Sequence, residues 1–189
     1  MADPYFFGYG SLVNTATHDF PEPRPATLSG WRRVWRHTDL RPVAFLTAIP
    51  DPTCAIQGLI AHVPNDDWEA LDEREWAYDR ISVTHATEHP VIREVEIAVY
   101  SVPEHRQSAP DTQHPILLSY LDVVVQGYAR VFGPEGVDHF FATTGGWDAP
   151  ILDDRAAPRY PRHQPMGTDE HALVDEYLMR LGAQTFQLT

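Results

Sequence analysis

The chain has 189 residues with 14 Lys and Arg against 27 Asp and Glu, a formal charge of −13, which suits one substantial core rather than two full-sized domains. Phosphate-backbone binding needs a concentrated basic surface, so this balance disfavours nucleic acid as a partner. Cys54 is the single cysteine, which excludes an intrachain disulfide; no apolar run approaches the roughly 18 residues that span a bilayer, and the start Met1-Ala2-Asp3-Pro4 lacks the basic segment of a secretory signal. The expected setting is therefore cytoplasmic, with no membrane association.

In chain order, the aromatic run at 5–9, ending among Gly8 and Gly10, predicts a buried strand that enters a tight turn. Prolines punctuate 21–25, after which 28–36 predicts a second strand through Trp31 and Trp35. Residues 42–52 are broken by prolines, and a third strand is expected over 57–63. Asp66 and Glu69 have the spacing of a capping box, and Trp68 and Leu71 lie three apart, so a short helix should end near Glu73. Alternation at Ile81 and Val83, then at Val95, Ile97 and Val99, predicts two more half-buried strands.

Beyond Pro103 the pattern turns helical. Leu117, Leu121, Val124, Tyr128 and Val131 form one stripe closed by Gly133-Pro134. Val137, Phe140 and Phe141 suggest a short helix ended by Gly145-Gly146, and Thr168 should cap a third with Val174, Leu178 and Leu181 on one face before Gly182. The proline-rich stretch 147–166 should be irregular and draped on the core. These patterns describe an α+β chain: a mostly β core over 1–102 and a helical extension over 103–189 packed on it, not an independent domain. An exposed 117–131 stripe would make a homodimer; burial against the chain's own sheet fits the stripe equally well.

Two segments carry chemistry. In Gly8-Tyr9-Gly10-Ser11-Leu12 the glycines permit a sharp turn that directs amide hydrogens outward, a place for a carboxylate, although an ordinary turn accounts for the pentapeptide as well. Ser11 lacks the G-x-S-x-G context of a nucleophile and is expected to hydrogen-bond. In Leu71-Asp72-Glu73-Arg74-Glu75-Trp76-Ala77-Tyr78, a charge run that suits a solvated helix face, Glu75 stands apart by lying just past the helix beside Trp76 and Tyr78. Apolar shielding there would raise a carboxylate toward the range of a general base.

Taken in order, these segments resemble the γ-glutamylcyclotransferase-like superfamily, in which a first strand runs into Tyr-Gly-Ser-Leu or Tyr-Gly-Ser-Asn and a later Leu-Asp-x-x-Glu precedes Tyr and Arg. Leu28-Ser29-Gly30-Trp31-Arg32-Arg33 and Gln57-Gly58-Leu59-Ile60 are similar to two further strands of that family, so the resemblance covers about residues 5–102. It implies a small mixed, twisted, partly closed β-sheet or barrel with flanking helices. It also implies Glu75 as the acid/base carboxylate, Tyr9, Gly10, Ser11 and Leu12 as the loop for the γ-glutamyl end, and Tyr78 as a pocket wall. The implied reaction is cyclisation of a γ-glutamyl amine or peptide with release of 5-oxoproline; glutathione, another γ-glutamyl peptide, a γ-glutamylamine and a modified metabolite all fit as substrates. Trp76, where many relatives have glycine, is a departure that would narrow the pocket or alter the loop. A noncatalytic binding or interaction protein of the same fold, and a different amide transferase or hydrolase, are the alternatives.

The remaining features carry less. Cys54 has no partner motif and reads as an inert half-buried thiol. Ten histidines include neither H-E-x-x-H nor a Cys/His cluster, with His85 and His89 at a strand end or loop, so no metal is expected; without a phosphate-binding glycine loop, no cofactor is expected either. Arg155, Arg159 and Arg162, with Tyr160 and His163, form the most basic stretch. Salt bridges to the acidic surface account for it, and a reach over the pocket to a second substrate carboxylate is the alternative.

Overall fold

In the computed structural model, residues 2–38 and 42–188 are described. The aromatic strand is β1 (Asp3–Gly8), followed by β2 (Arg24–Arg36), β3 (Phe45–His62), the short helix α1 (Glu69–Arg74), β4 (Asp79–Ser82), β5 (Thr87–Glu88) and β6 (Val95–Ser101). After a loop come β7 (Ile116–Leu117), α2 (Leu118–Ala142), β8 (Thr144–Gly145), β9 (Ile151–Leu152), α3 (Thr168–Leu181) and β10 (Thr185–Phe186). The main sheet runs β4-β6-β1-β3-β2-β5, with β8 alongside β2, and it is mixed: β1 pairs antiparallel with β3 and parallel with β6. It curls into a half-barrel with few helices, the α+β class that the sequence patterns predict. A second, three-stranded parallel sheet joins β10, β9 and β7. No helix among the described residues is long and apolar enough to cross a membrane.

β1 is central because Tyr5, Phe6 and Phe7 bury side chains on both faces, at 0%, 0% and 1% exposure. The third strand is much longer than expected. Pro50 and Pro52 do not end it, because β1 meets β3 only at residues 59–62: Pro50 pairs with Trp31 of β2 alone, and Pro52 falls in the register shift between Pro50 and Ala55. A strand paired on one side has no second ladder for a proline to break. Gly30, at φ +80°, sits where the β2–β3 register shifts between Ser29 and Trp31, a bulge that only a residue tolerant of that φ forms cheaply.

The helices follow the expected order with local differences. Asn65 and Asp66 adopt positive φ, so Asp66 does not cap α1; Asp67 Oδ1 accepts the Glu69 N–H at 3.2 Å instead. α2 contains both expected segments, broken at Gly133 (φ 70°, ψ −165°), and ends at Ala142, before the glycine pair. Its Leu121, Val124, Val125 and Tyr128 lie in the same core cluster as β1 and β3, so the apolar stripe is buried within the chain. Gly167, not Thr168, precedes the first residue of α3, and its N–H is accepted by Glu170 Oε2 at 2.8 Å; Val174 and Leu178 are buried, but Leu181 is exposed. Ile81 is exposed as well, since β4 is an edge strand. The 147–166 stretch is irregular apart from β9.

Candidate active site

The end of β1, the end of α1 and the start of α2 converge on one cavity of about 130 Å³. Tyr9, Gly10, Ser11, Leu12, Glu75 and Tyr78 all line it, so the structure brings together every residue singled out for the site. It also adds Arg74, Tyr100, Tyr120, Tyr160 and Arg162.

The first wall is a tight turn. Ser11–Val13 form a 3-10 turn in which Val13 N–H donates to Gly10 O at 3.0 Å and Asn14 N–H to Ser11 O at 3.0 Å. Gly10 has φ −115° and ψ −130°, so the turn is 3-10 rather than the left-handed alternation of an anion nest. Glycine is needed there for space: a Cβ at Gly10 would lie 2.6 Å from the Tyr120 hydroxyl oxygen. The turn is anchored from below, with Asn14 Nδ2 donating to Val123 O (3.0 Å) and Gln126 Oε1 (2.9 Å) of α2. Tyr128 donates to Tyr9 O at 2.9 Å and accepts from Nη1 of the buried Arg33 at 2.8 Å.

The second wall is the C-terminus of α1. Leu71 is fully buried and pins the helix to the core, Asp72 accepts from Arg80 and from the Tyr100 hydroxyl, and Arg80 stacks 4.3 Å from the Trp68 ring centroid. Glu75 follows as the C-cap, its N–H donating to Leu71 O at 2.9 Å, with a side chain only 16% exposed. Trp76 is 54% exposed and lies outside the cavity lining, so the bulky ring turns away from the pocket instead of narrowing it. Tyr78 donates to Leu46 O at 3.1 Å, which fixes its ring against β3.

Arg74 joins the walls. Its Nε lies 3.3 Å from Glu75 Oε1, and Nη1 and Nη2 donate to Thr17 O (3.1 Å) and Ser11 Oγ (3.1 Å). Ser11 Oγ is thus an acceptor held by a cation, and the cavity wall includes neither histidine nor cysteine among the described residues. Burial pushes the Tyr9 hydroxyl above the ordinary phenol range, with the Glu75 carboxylate acting in the same direction. Tyr120 is raised well above it by burial, by Tyr160 and by Glu75. Both phenols stay protonated at neutral pH, and the Tyr9 hydroxyl donates to Tyr100 O at 2.6 Å.

The family model described as gamma-glutamyl cyclotransferase, AIG2-like, matches residues 6–119, from β1 into the start of α2. The chain belongs to this family. The match takes in the whole Tyr9–Glu75 arrangement and stops one residue short of Tyr120. Curated proteins gave no match. Among solved structures the chain is similar to YkqA from Bacillus subtilis, with TM-score 0.57 and 18% identity over 73% of this chain and 52% of that one. It therefore spans about half the length of the YkqA chain. It is also similar to a gamma-glutamyl cyclotransferase (TM-score 0.56, 14% identity, 91% and 98% covered) and to the uncharacterized protein loc79017 from Homo sapiens (0.57, 14%, 90% and 97%). At these identities the structural likeness is one of fold.

The other sequence candidates lie elsewhere. Arg155 is bidentate to the buried Asp122 at 2.8 and 2.7 Å and reaches the exposed Asp175 at 2.7 Å, so the second contact is the surface salt bridge expected of the basic stretch and the first is an internal one. Cys54 is half-buried in β3. His37, Asp111 and His114 gather outside the cavity, with His114 Nδ1 2.9 Å from Asp111 Oδ1. The two imidazoles stack face to face at 4.2 Å and 10°. Lone pairs lying in two parallel ring planes do not meet on one ion, so this geometry is that of a packed ring pair and would need a ring to turn before it held a metal.

Proposed function

We propose that this protein is a γ-glutamylcyclotransferase that cyclises the glutamyl end of a γ-glutamyl peptide or amine and releases 5-oxoproline, with Glu75 as general acid/base. The observation that carries this reading is the character of the cavity wall: among its described residues Glu75 is the sole carboxylate, surrounded by phenols, guanidiniums and apolar groups. The turn of Tyr9, Gly10, Ser11 and Leu12 receives the glutamyl α-carboxylate, and Tyr78 walls the pocket.

The substrate supplies its own nucleophile. The α-amine attacks the γ-carbonyl, a C–N bond forms to close a five-membered lactam, and the original γ-amide C–N bond breaks. Holding the chain folded for this attack is the main task, since well-oriented intramolecular reactions reach effective molarities on the order of 10⁵ M or more. Protons must leave the α-ammonium and reach the departing nitrogen, and Glu75 takes one and returns it in sequence. No cofactor enters this scheme. Residues 103–189 form an extension on the 1–102 core rather than an independent domain; in support, Tyr120, Tyr160 and Arg162 line the same cavity as Glu75. A cytoplasmic location belongs to the same proposal.

The test is product analysis. Purified protein is incubated with a panel that includes glutathione, other γ-glutamyl peptides and γ-glutamylamines. Release of 5-oxoproline with the free amine is expected; free glutamate instead would make the protein a hydrolase, and tight binding without turnover would make it a binding protein.

A further inference from the structure

Tyr160 and Arg162 belong to the proline-rich stretch 147–166, beyond the 6–119 region shared with the family, yet both line the cavity with Glu75. The stretch is anchored there. Its Arg155 forks onto Asp122 of α2, Tyr160 N–H donates to Ser119 Oγ at 3.3 Å, and the Tyr160 ring packs edge-on against Tyr120 at 5.0 Å. Just past Arg162, Gln164 Nε2 donates to Ala16 O at 3.3 Å, next to the Ser11 turn. Arg162 is therefore held between two tethers.

The two arginines of the wall differ in charge balance. Arg74 faces Glu75 and is half-buried, with a side chain only 8% exposed, whereas Arg162 is exposed and its guanidinium has no ion pair with any described residue. Glu75 sits deep, with a 16% exposed side chain, and Arg162 sits at the solvent end. A substrate with its glutamyl end in the Ser11 turn and its scissile bond at Glu75 sends the leaving group outward, past Tyr160 toward Arg162.

We infer that Arg162 selects γ-glutamyl substrates whose leaving amine carries its own carboxylate, an amino acid or peptide, over neutral and cationic amines. This rests on the cyclotransferase reading above. A guanidinium meets a carboxylate through two parallel N–H donors, and at an exposed site such a contact is worth a modest preference, about 2–5-fold.

γ-Glutamyl-alanine and γ-glutamyl-alaninamide differ only in the leaving-group carboxylate, and calorimetric binding to Glu75→Gln protein keeps both intact. The acid should bind about 2–5-fold tighter than the amide. Adding Arg162→Gln should erase the difference by weakening the acid alone, and Arg162→Glu should favour the amide. Equal binding of the two compounds, equal weakening of both by Arg162→Gln, or no binding of either overturns the inference. Turnover is measured separately with Glu75 in place: if no γ-glutamyl compound of the panel yields 5-oxoproline, the cyclotransferase reading fails while the binding comparison still decides the role of Arg162.

Discussion

Arg74 Nη2 donates to Ser11 Oγ at 3.1 Å, across 63 residues of sequence, and so fixes the α1 terminus to the β1 turn. The same guanidinium faces Glu75 at 3.3 Å. A lysine at this position keeps the charge but loses the planar fork that reaches Ser11, Thr17 and Glu75 together. Arg74→Lys is expected to lower kcat/KM by about 10–100-fold, the cost of a misplaced reacting group. Steady-state kinetics with a thermal melt checks this; wild-type kinetics in a folded variant would remove Arg74 from the positioning machinery.

Gly10 and the Tyr120 hydroxyl compete for one space. In Gly10→Ala the new Cβ meets that oxygen at 2.6 Å, so the turn or the ring must move. We expect kcat/KM to fall about 10-fold or more. Tyr120→Phe removes the oxygen, leaving the ring carbon Cζ at 3.8 Å from the same point, an ordinary contact. The double variant should regain most of the loss, and a double variant no better than Gly10→Ala would show that the clash is not the cause.

Acid should loosen the turn through His18. Its Nδ1 accepts the Phe20 N–H at 3.2 Å and its Nε2 therefore carries the hydrogen donated to Leu12 O at 3.0 Å, which is the neutral ring. Burial lowers the His18 pKa, with Arg74 acting in the same direction. The unfolded chain then binds more protons than the folded one between the folded pKa and the ordinary value near 6.5. This contribution to stability is fully present above about pH 6.5 and is lost as pH falls through the folded pKa. NMR titration should place the ring below 6.5, and His18→Gln should flatten the part of the acid-side stability loss that falls in that window; a ring that titrates at or above 6.5 contradicts the account.

Much of this is legible in the sequence. Gly8 to Leu12 and Leu71 to Tyr78 stand out as short local patterns, and residues of both line one cavity. Arg74 was in view, inside the charge run, but nothing local tells a solvated arginine from one turned toward a residue 63 positions away. Tyr120 lies one position from Leu121, and helical periodicity places the core stripe without saying what the neighbouring face meets. The length of β3 was hidden for a similar reason: Pro50 and Pro52 break a central strand, and only the sheet order reveals that their part of β3 has a single neighbour. In 147–166 the arginines divide: Arg155 pairs with the buried Asp122 and the exposed Asp175, while Arg162 lines the cavity.

The role of Glu75 is tested most directly by the Glu75→Gln protein, which keeps the size and hydrogen bonding of the side chain and loses its basicity. Mass spectrometry of 5-oxoproline from wild type and variant, on whichever γ-glutamyl compound the wild type turns over fastest, should show release falling by at least about 10²-fold with the fold intact, the usual contribution of general acid–base catalysis. A folded Glu75→Gln protein that releases 5-oxoproline at the wild-type rate would contradict the account.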